Sequence, residues 1–314
     1  MTRITNEPTT TELAALLILS RLAHFFCGNT PYSTAYAAQC AVTTAIQFVL
    51  ILPFLLRKSE WGVPHITKNV LRGFALLLAA KSTAETYQFL LIANAPRPAL
   101  TLALLLLVVL YGLSLPTYTV WRSAILVLSA SMIALFLLPL GGIFSAKTLS
   151  LWRVDLPPHL WQEWADSAET ALLPLIIETA QKRGKRACAI WFGVRMLLLP
   201  LLILYGTMQC GRLQIIGNSP FLTLLARVPF SDTLRTDGFW WMLTVACCVL
   251  TIQYLLQFCC IHANDSARIR CTGIFALTAF SILFIIYPPH GLLFAIASVL
   301  LCIAAWIPKK GYAE

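Results

Sequence analysis

The sequence predicts an all-α polytopic membrane protein of about ten transmembrane helices, built as a five-plus-five inverted repeat. Three observations lead there. Only 11% of the 314 residues are charged and 59% are hydrophobic, whereas an average soluble domain is about 25% charged. The mean hydropathy is +0.78, and apolar runs of about 20 residues, the length that crosses a bilayer, recur along the whole chain. Such runs stand in equal number before and after a tryptophan-rich segment at 141–165, and a repeat with an odd number of spans must invert in the membrane. An ordinary soluble protein is excluded. The chain reads as a single membrane domain, with repeat one over about 12–140, repeat two over about 166–307, and outer connecting segments at 141–165 and 209–236.

Apolar length and the breakers between runs place the spans at 12–30, 34–56, 67–94, 98–114, 118–140, 166–183, 187–208, 237–262, 268–287 and 290–307. The first follows the polar lead "MTRITNEPTTTE" and has no clear small-residue cleavage site, so it reads as a span rather than a signal peptide. "NAPRP" divides the third from the fourth, "SLPT" the fourth from the fifth, and "YPPHG" the last two. The segment 141–165 offers Trp152, Trp161 and Trp164 to the membrane interface. In 209–236, Ser219 is a natural N-cap with Pro220 at the first helical position. A short helix from about Pro220 to Arg227 is expected on the outer interface; two plain amphipathic loops are the alternative.

The basic residues orient these spans. With the N-terminus cytoplasmic, the inner connections hold Arg57, Lys58, Lys68 and Arg72, then Lys182, Arg183, Lys185 and Arg186, then Arg268 and Arg270, then Lys309 and Lys310. The short outer connections hold only Arg97, so an even number of spans with both termini cytoplasmic satisfies the positive-inside rule. The net charge of +10 is spread over span ends rather than gathered on a soluble module. It points to membrane lipid as a partner and not to nucleic acid. The ten cysteines lie mostly inside apolar runs without a CxxC pair, so they read as packing residues rather than a disulfide framework or metal site. No enzyme or cofactor fingerprint appears, and the five histidines are scattered. The expectation is a non-enzyme without cofactor or metal.

An ionised side chain at mid-bilayer costs a few kcal/mol, about 2.5–3.5 on the insertion scale. The third span nevertheless carries Lys81, Glu85 and Gln88 on one face, at i, i+4 and i+7. Such a stripe faces the bundle interior, either as a neutralising Lys81–Glu85 pair or as the wall of a ligand or ion cavity. Arg21 and His24 in the first span, Arg122 at the start of the fifth and Arg195 in the seventh add positive groups at membrane depth. Arg122 is close enough to a span end to snorkel. Two places look like helix interruptions. "FFCGNTP" closes the first span, and in "SAETALLPLIIETAQKRGKR" Pro174 lacks a backbone donor while Leu173 before it resists helical geometry. The second is either a proline kink or a discontinuous helix that binds substrate near the midplane. The first and sixth spans are equivalent in a five-plus-five repeat, which favours the latter. On the eighth span Gln253 and Gln257 share a face beside Thr251 and Tyr254, and serve either as interhelical glue or as a cavity lining.

"ELAALLILSRLAHFFCGNTP" resembles the first span of the B subunits of bacterial spore-germination nutrient receptors. "LLIANAPRPALTLALLLLVVLYGLSLPTYTVWRSAILV" is similar to that family's spans three to five, "ETALLPLIIETAQKRGKR" to its sixth span and basic loop, and "NSPFLTLLARVPFSDTLRTDGFWWML" to its outer helix and eighth span. The resemblance implies the amino acid–polyamine–organocation superfamily and a leucine-transporter-type fold. It further implies a germinant receptor in the inner spore membrane that binds a small nutrient, often an amino acid, beside germination receptor A and C subunits. Within it, Glu85 matches an acidic pocket residue and Tyr254 an aromatic one, while Lys81 departs from the pattern. The expected ligand-binding set is Arg21, His24, Glu85, Gln88, Leu173, Gln253 and Tyr254, with Lys81 and Arg122 as ion-pairing or signalling groups. A secondary amino-acid transporter of the same fold is the alternative. A drug/metabolite-type carrier and a ligand-free channel subunit are weaker readings.

Overall fold

Thr9 starts the first helix with a capping box. Its hydroxyl accepts from the backbone of Glu12, and the Glu12 carboxylate accepts from the Thr9 N–H at 2.7 Å. The resulting α1 (Thr10–Cys27) runs without a break and is buried from Leu13 to Phe26. "FFCGNTP" is therefore the end of a continuous helix, with Gly28 extended, and not an interruption within a span. The computed structural model describes residues 8–28, 31–57, 62–115, 117–142, 161–210, 220–227, 237–259 and 267–306. The expected N-cap Ser219, the interfacial Trp152 and the residues 143–160, 211–219 and 228–236 lie outside them.

Among the described residues every element is a helix or a 3-10 turn, with no strand. α2 (Thr34–Leu56) is capped by Ser33, and α3 (His65–Ile92), α4 (Pro98–Ser114) and α5 (Thr117–Gly142) follow. The next segment is built in pieces: α6 (Gln162–Asp166), a 3-10 turn (Ala168–Leu172) and α7 (Leu173–Cys210). α7 is a helical hairpin. Gln181 takes φ 46° and ψ −121°, and the chain folds back so tightly that a Cβ on Gly184 would lie 2.7 Å from the carbonyl oxygen of Ile176. Its two arms are 173–180 and 182–210. The sixth segment is thus discontinuous, but at the 3-10 turn and not at the proline. Pro174 is only the second residue of α7, where a missing N–H goes unmissed. α8 (Pro220–Arg227) forms where expected; α9 (Asp237–Cys259), α10 (Ala267–Ile286) and α11 (Gly291–Trp306) complete the fold.

By length and composition, Thr10–Cys27, Thr34–Leu56, Tyr118–Pro139, Ala168–Cys210 and Phe239–Gln257 can each cross a membrane. Pro98–Ser114, Gly273–Ile286 and Gly291–Trp306 are shorter apolar helices. α3 is long enough at 28 residues, but its interior Lys81 and Glu85 lower its hydropathy. The outer surface carries Val49, Leu107, Leu126, Phe136, Leu197 and Phe275, each more than half exposed. Arg21, Glu163 and Arg195 meanwhile lie at 5% exposure or less. Large apolar side chains outside and charges inside reverse the order of a soluble protein, and mark a helical membrane protein.

α1 lies at the centre, against α3, α5, α7 and α9, with α8 across its end. Phe221 of α8 stacks on Phe25 and Phe26 of α1 and on Trp240 of α9. α2 packs on α7, α3 on α9 and α10, α4 and α5 on α9, and α11 on α6 and the 3-10 turn. One end of the bundle gathers the basic connections. Lys68 pairs with Glu178 at 2.6 Å, Lys185 donates to the carbonyl of Arg57, and Arg183 donates to that of Pro8 at 3.4 Å. Trp306, at the end of α11, donates to Leu50 of α2 on the same side. The first and last described helices therefore begin and end on the same face as both basic loops.

Candidate functional site

The site grows from "WQEWADSAET", where Glu163, Asp166 and Glu169 recur every third residue. Wound as α6 and the 3-10 turn, this stretch turns its carboxylates toward α1, α2 and α3. Glu163 is fully buried and is clamped by two arginines. Arg21 of α1 pairs with one carboxylate oxygen, and Arg195 of the second α7 arm donates to the other at 2.7 Å. The Tyr36 hydroxyl and the Cys40 thiol of α2 donate to Glu163 at 3.1 and 3.2 Å. Arg195 also donates to Gln47, whose amide donates to Ser167 at 2.9 Å, and its guanidinium lies 5.1 Å from the Trp191 ring centre. With about 1.5 Å of rise per residue, Arg21 stands roughly 17 Å along α1 and Arg195 roughly 20 Å along its arm, near mid-depth of a 30 Å hydrocarbon layer.

A second group adjoins the first. Nδ1 of His24 lies 2.6 Å from Glu85, and Lys81 lies 3.5 Å from Glu85 and 3.8 Å from Asp166. Lys81 also donates to the carbonyl of Ala165 at 2.9 Å, and Arg21 to that of Asp166 at 2.8 Å. Helices α1 and α3 thus use their cations both to neutralise carboxylates and to satisfy backbone carbonyls that the short, broken α6 leaves open. Glu169 differs. It is 2% exposed, and neither of its oxygens accepts a hydrogen bond from the protein.

Of the residues expected at the site, Arg21, His24, Lys81 and Glu85 meet in this centre. Leu173 and Tyr254 are buried. Three do not join them. Gln88 is exposed, because beyond Glu85 the buried face of α3 is carried by Thr86, Phe89 and Leu90 instead. Gln253 is buried but turns to α4, donating to Val108 at 3.3 Å and filling the notch left by Gly112, so that it joins helices. Arg122 is exposed, with its guanidinium 5.4 Å from the Tyr118 ring centre, and makes no ion pair in the centre. Glu163, Asp166 and Glu169 were the residues that span assignment missed or left peripheral, since 141–165 reads as an outer connection. The signal was present as an imbalance: Arg21, Lys81 and Arg195 lie in apolar runs with Glu85 as their only nearby acid, so counter-charges were owed from elsewhere.

Lys81, Glu85 and Asp166 keep 12, 20 and 25% side-chain exposure, so the centre is partly open at that edge. A cavity beside it, between α1 and α7 and lined by Arg21, Trp191 and Arg195, has about 20 Å³, room for one water. Among the described residues no cluster of histidines, cysteines and carboxylates could hold a metal ion. No protein-family model matches the chain, and no curated protein sequence matches it.

Proposed function

We propose that the chain is the membrane-embedded ligand-binding subunit of a nutrient receptor of the spore-germination B type. It would bind a small zwitterionic nutrient, an amino acid above others, and pass its occupancy to partner A and C subunits in the spore's inner membrane. The observation that carries this reading is the charge centre. Eight ionisable side chains from α1, α3, α6, the 3-10 turn and α7 converge in the interior of an otherwise apolar bundle: Arg21, His24, Lys81, Glu85, Glu163, Asp166, Glu169 and Arg195. Ionisable groups kept inside a membrane mark ligand or ion sites by default, since apolar packing would hold helices together as well or better.

The helix pairings support the leucine-transporter-type, five-plus-five reading. Let α1 to α5 be the first five spans, α6 with the 3-10 turn and first arm the sixth, the second arm the seventh, and α9, α10 and α11 the rest. α1 packs on α5 as the sixth segment packs on α11; α1 meets α9 as the 3-10 turn meets α3; α3 meets α10 as α9 meets α4. The pairs α2 with α7 and α3 with α9 each join a span to its own counterpart. These contacts recur after a shift of five spans, as an internal two-fold relation would give, whereas α3 with α4 and α2 with α11 have no counterpart of similar extent.

Signalling would rest on a conformational equilibrium in which the nutrient favours one state by its difference in affinity. Proteoliposomes holding the purified chain and incubated with radiolabelled proteinogenic amino acids test the assignment. Saturable binding without time-dependent accumulation in the lumen is expected of a receptor. Accumulation would make the chain a secondary transporter of the same fold, and absence of any binding would remove the ligand altogether.

A further inference from the structure

We propose that Glu169, and not Glu85, receives the ammonium group of the bound molecule; this rests on the receptor reading above and names the residue that reads the ligand's positive end. The two acids stand differently in the same centre. Glu85 is engaged by His24 at 2.6 Å and Lys81 at 3.5 Å. Glu163 is held by two arginines, and Asp166 lies 3.8 Å from Lys81. Glu169, at 2% exposure, is nearly as buried as Glu163 and far more so than Glu85 and Asp166, whose side chains are 20% and 25% exposed, yet both of its oxygens lack a donor. A buried carboxylate without a donor forfeits the hydration it had in water and recovers nothing from the fold. Groups of this kind persist where function needs them at the expense of stability.

What Glu169 lacks is a hydrogen-bond donor. Arg21, Lys81 and Arg195 together with a protonated His24 would balance the four carboxylates Glu85, Glu163, Asp166 and Glu169 in charge. A proton on His24 would be spent on Glu85, which its ring already touches, and would still leave Glu169 without a donor. The missing partner must bring donors of its own. A metal ion is a poor fit, because hard cations take six or more oxygen ligands and no metal-holding cluster exists among the described residues. A primary ammonium group carries one positive charge and three N–H donors, and it is small enough for a tightly packed site. Glu169 also sits on the 3-10 turn, beneath α11 and beside α3. Occupancy would therefore act on the segment that is broken by the 3-10 turn, an element well placed to report binding.

The test compares wild type, Glu169→Gln and Glu169→Asp, purified in detergent, by thermal unfolding with the proteinogenic amino acids and with the matching 2-hydroxy acids, which lack the ammonium group. Wild type is expected to gain Tm with at least one amino acid and not with its hydroxy counterpart. Glu169→Gln is expected to fold with a Tm equal to or above wild type, because it removes an unpartnered charge. Its apparent affinity should fall about tenfold to a hundredfold, the effect of losing a hydrogen bond to a charged group, with Glu169→Asp in between. An unchanged response in Glu169→Gln overturns the assignment and leaves the receptor reading standing. An equal response to the hydroxy acid overturns it as well, since the positive end is then not read. Failure of Glu169→Gln to fold would make the carboxylate a structural partner, against the proposal. Silence of wild type toward every amino acid removes the receptor reading together with it.

Discussion

Glu163→Gln is the substitution on which the packing argument bears most heavily. The change keeps the shape of the side chain and removes its charge. In the folded chain this carboxylate takes donors from Arg21, Arg195, Tyr36 and Cys40 while fully buried. Glutamine offers one acceptor oxygen, and its amide would point a donor at a guanidinium or at Tyr36. Two arginines then lose the carboxylate clamped between them. Removing one partner of a buried pair costs about 3–5 kcal/mol. At about 2–4 °C per kcal/mol for chains of 150–250 residues, Tm should fall by roughly 6–20 °C. Fluorescence-detected unfolding of the purified variant measures it. Arg195→Met and the double variant complete a cycle: removing both partners should cost less than the sum of the singles by at least about 1 kcal/mol. If Glu163→Gln unfolds within about 2 °C of wild type, the clamp is not there and the polar centre is wrongly built.

The other expectations are simpler. Glu85→Gln should also lower Tm, because His24 and Lys81 both lose their carboxylate, whereas Glu169→Gln should not; equal losses in the two would erase the distinction between paired and unpaired acids. Gly184→Ala should destabilise the chain by about 1–3 kcal/mol, the range for overpacking, since its Cβ would press on backbone of the first α7 arm at 2.7 Å; a neutral result contradicts the hairpin. The sulfurs of Cys27 on α1 and Cys248 on α9 lie 3.2 Å apart. Mild oxidation should join them, and peptide mass spectrometry that finds both thiols free would separate these two helices. Arg122→Ala, at an exposed position over Tyr118, should shift stability by no more than about 0.5 kcal/mol.

Several helix ends were legible because each rests on local chemistry. Pro98 starts α4, Ser33 caps α2, and Pro220 opens α8, all where composition places them. The inward face of α3 was legible as far as Glu85, since only that face can satisfy a charge in an apolar setting. What failed depended on partners distant in sequence. Glu163 reads as part of a loop beside Trp161 and Trp164, and only the arginines of α1 and α7, more than thirty residues away on either side, bring it inside. Gln253 has the same helical neighbours as Tyr254, but Gly112 opens a notch in α4 that draws its side chain the other way. Leu173 and Pro174 marked a real interruption at the wrong residue. The bend falls in the 3-10 turn, where Ser167 and Thr170 hydroxyls take backbone carbonyls, a competition with regular helix that hydroxyl residues offer and that apolar periodicity does not register.

The most direct test is a side-chain-resolution cryo-EM map of the chain in lipid nanodiscs, collected with the amino acid that raises its Tm. The account predicts Glu163 between Arg21 and Arg195, Glu85 still against His24 and Lys81, and ligand density with its nitrogen within hydrogen-bonding distance of Glu169. A map with Glu163 apart from both arginines, or with Glu169 turned to the acyl chains and the ligand elsewhere, contradicts it.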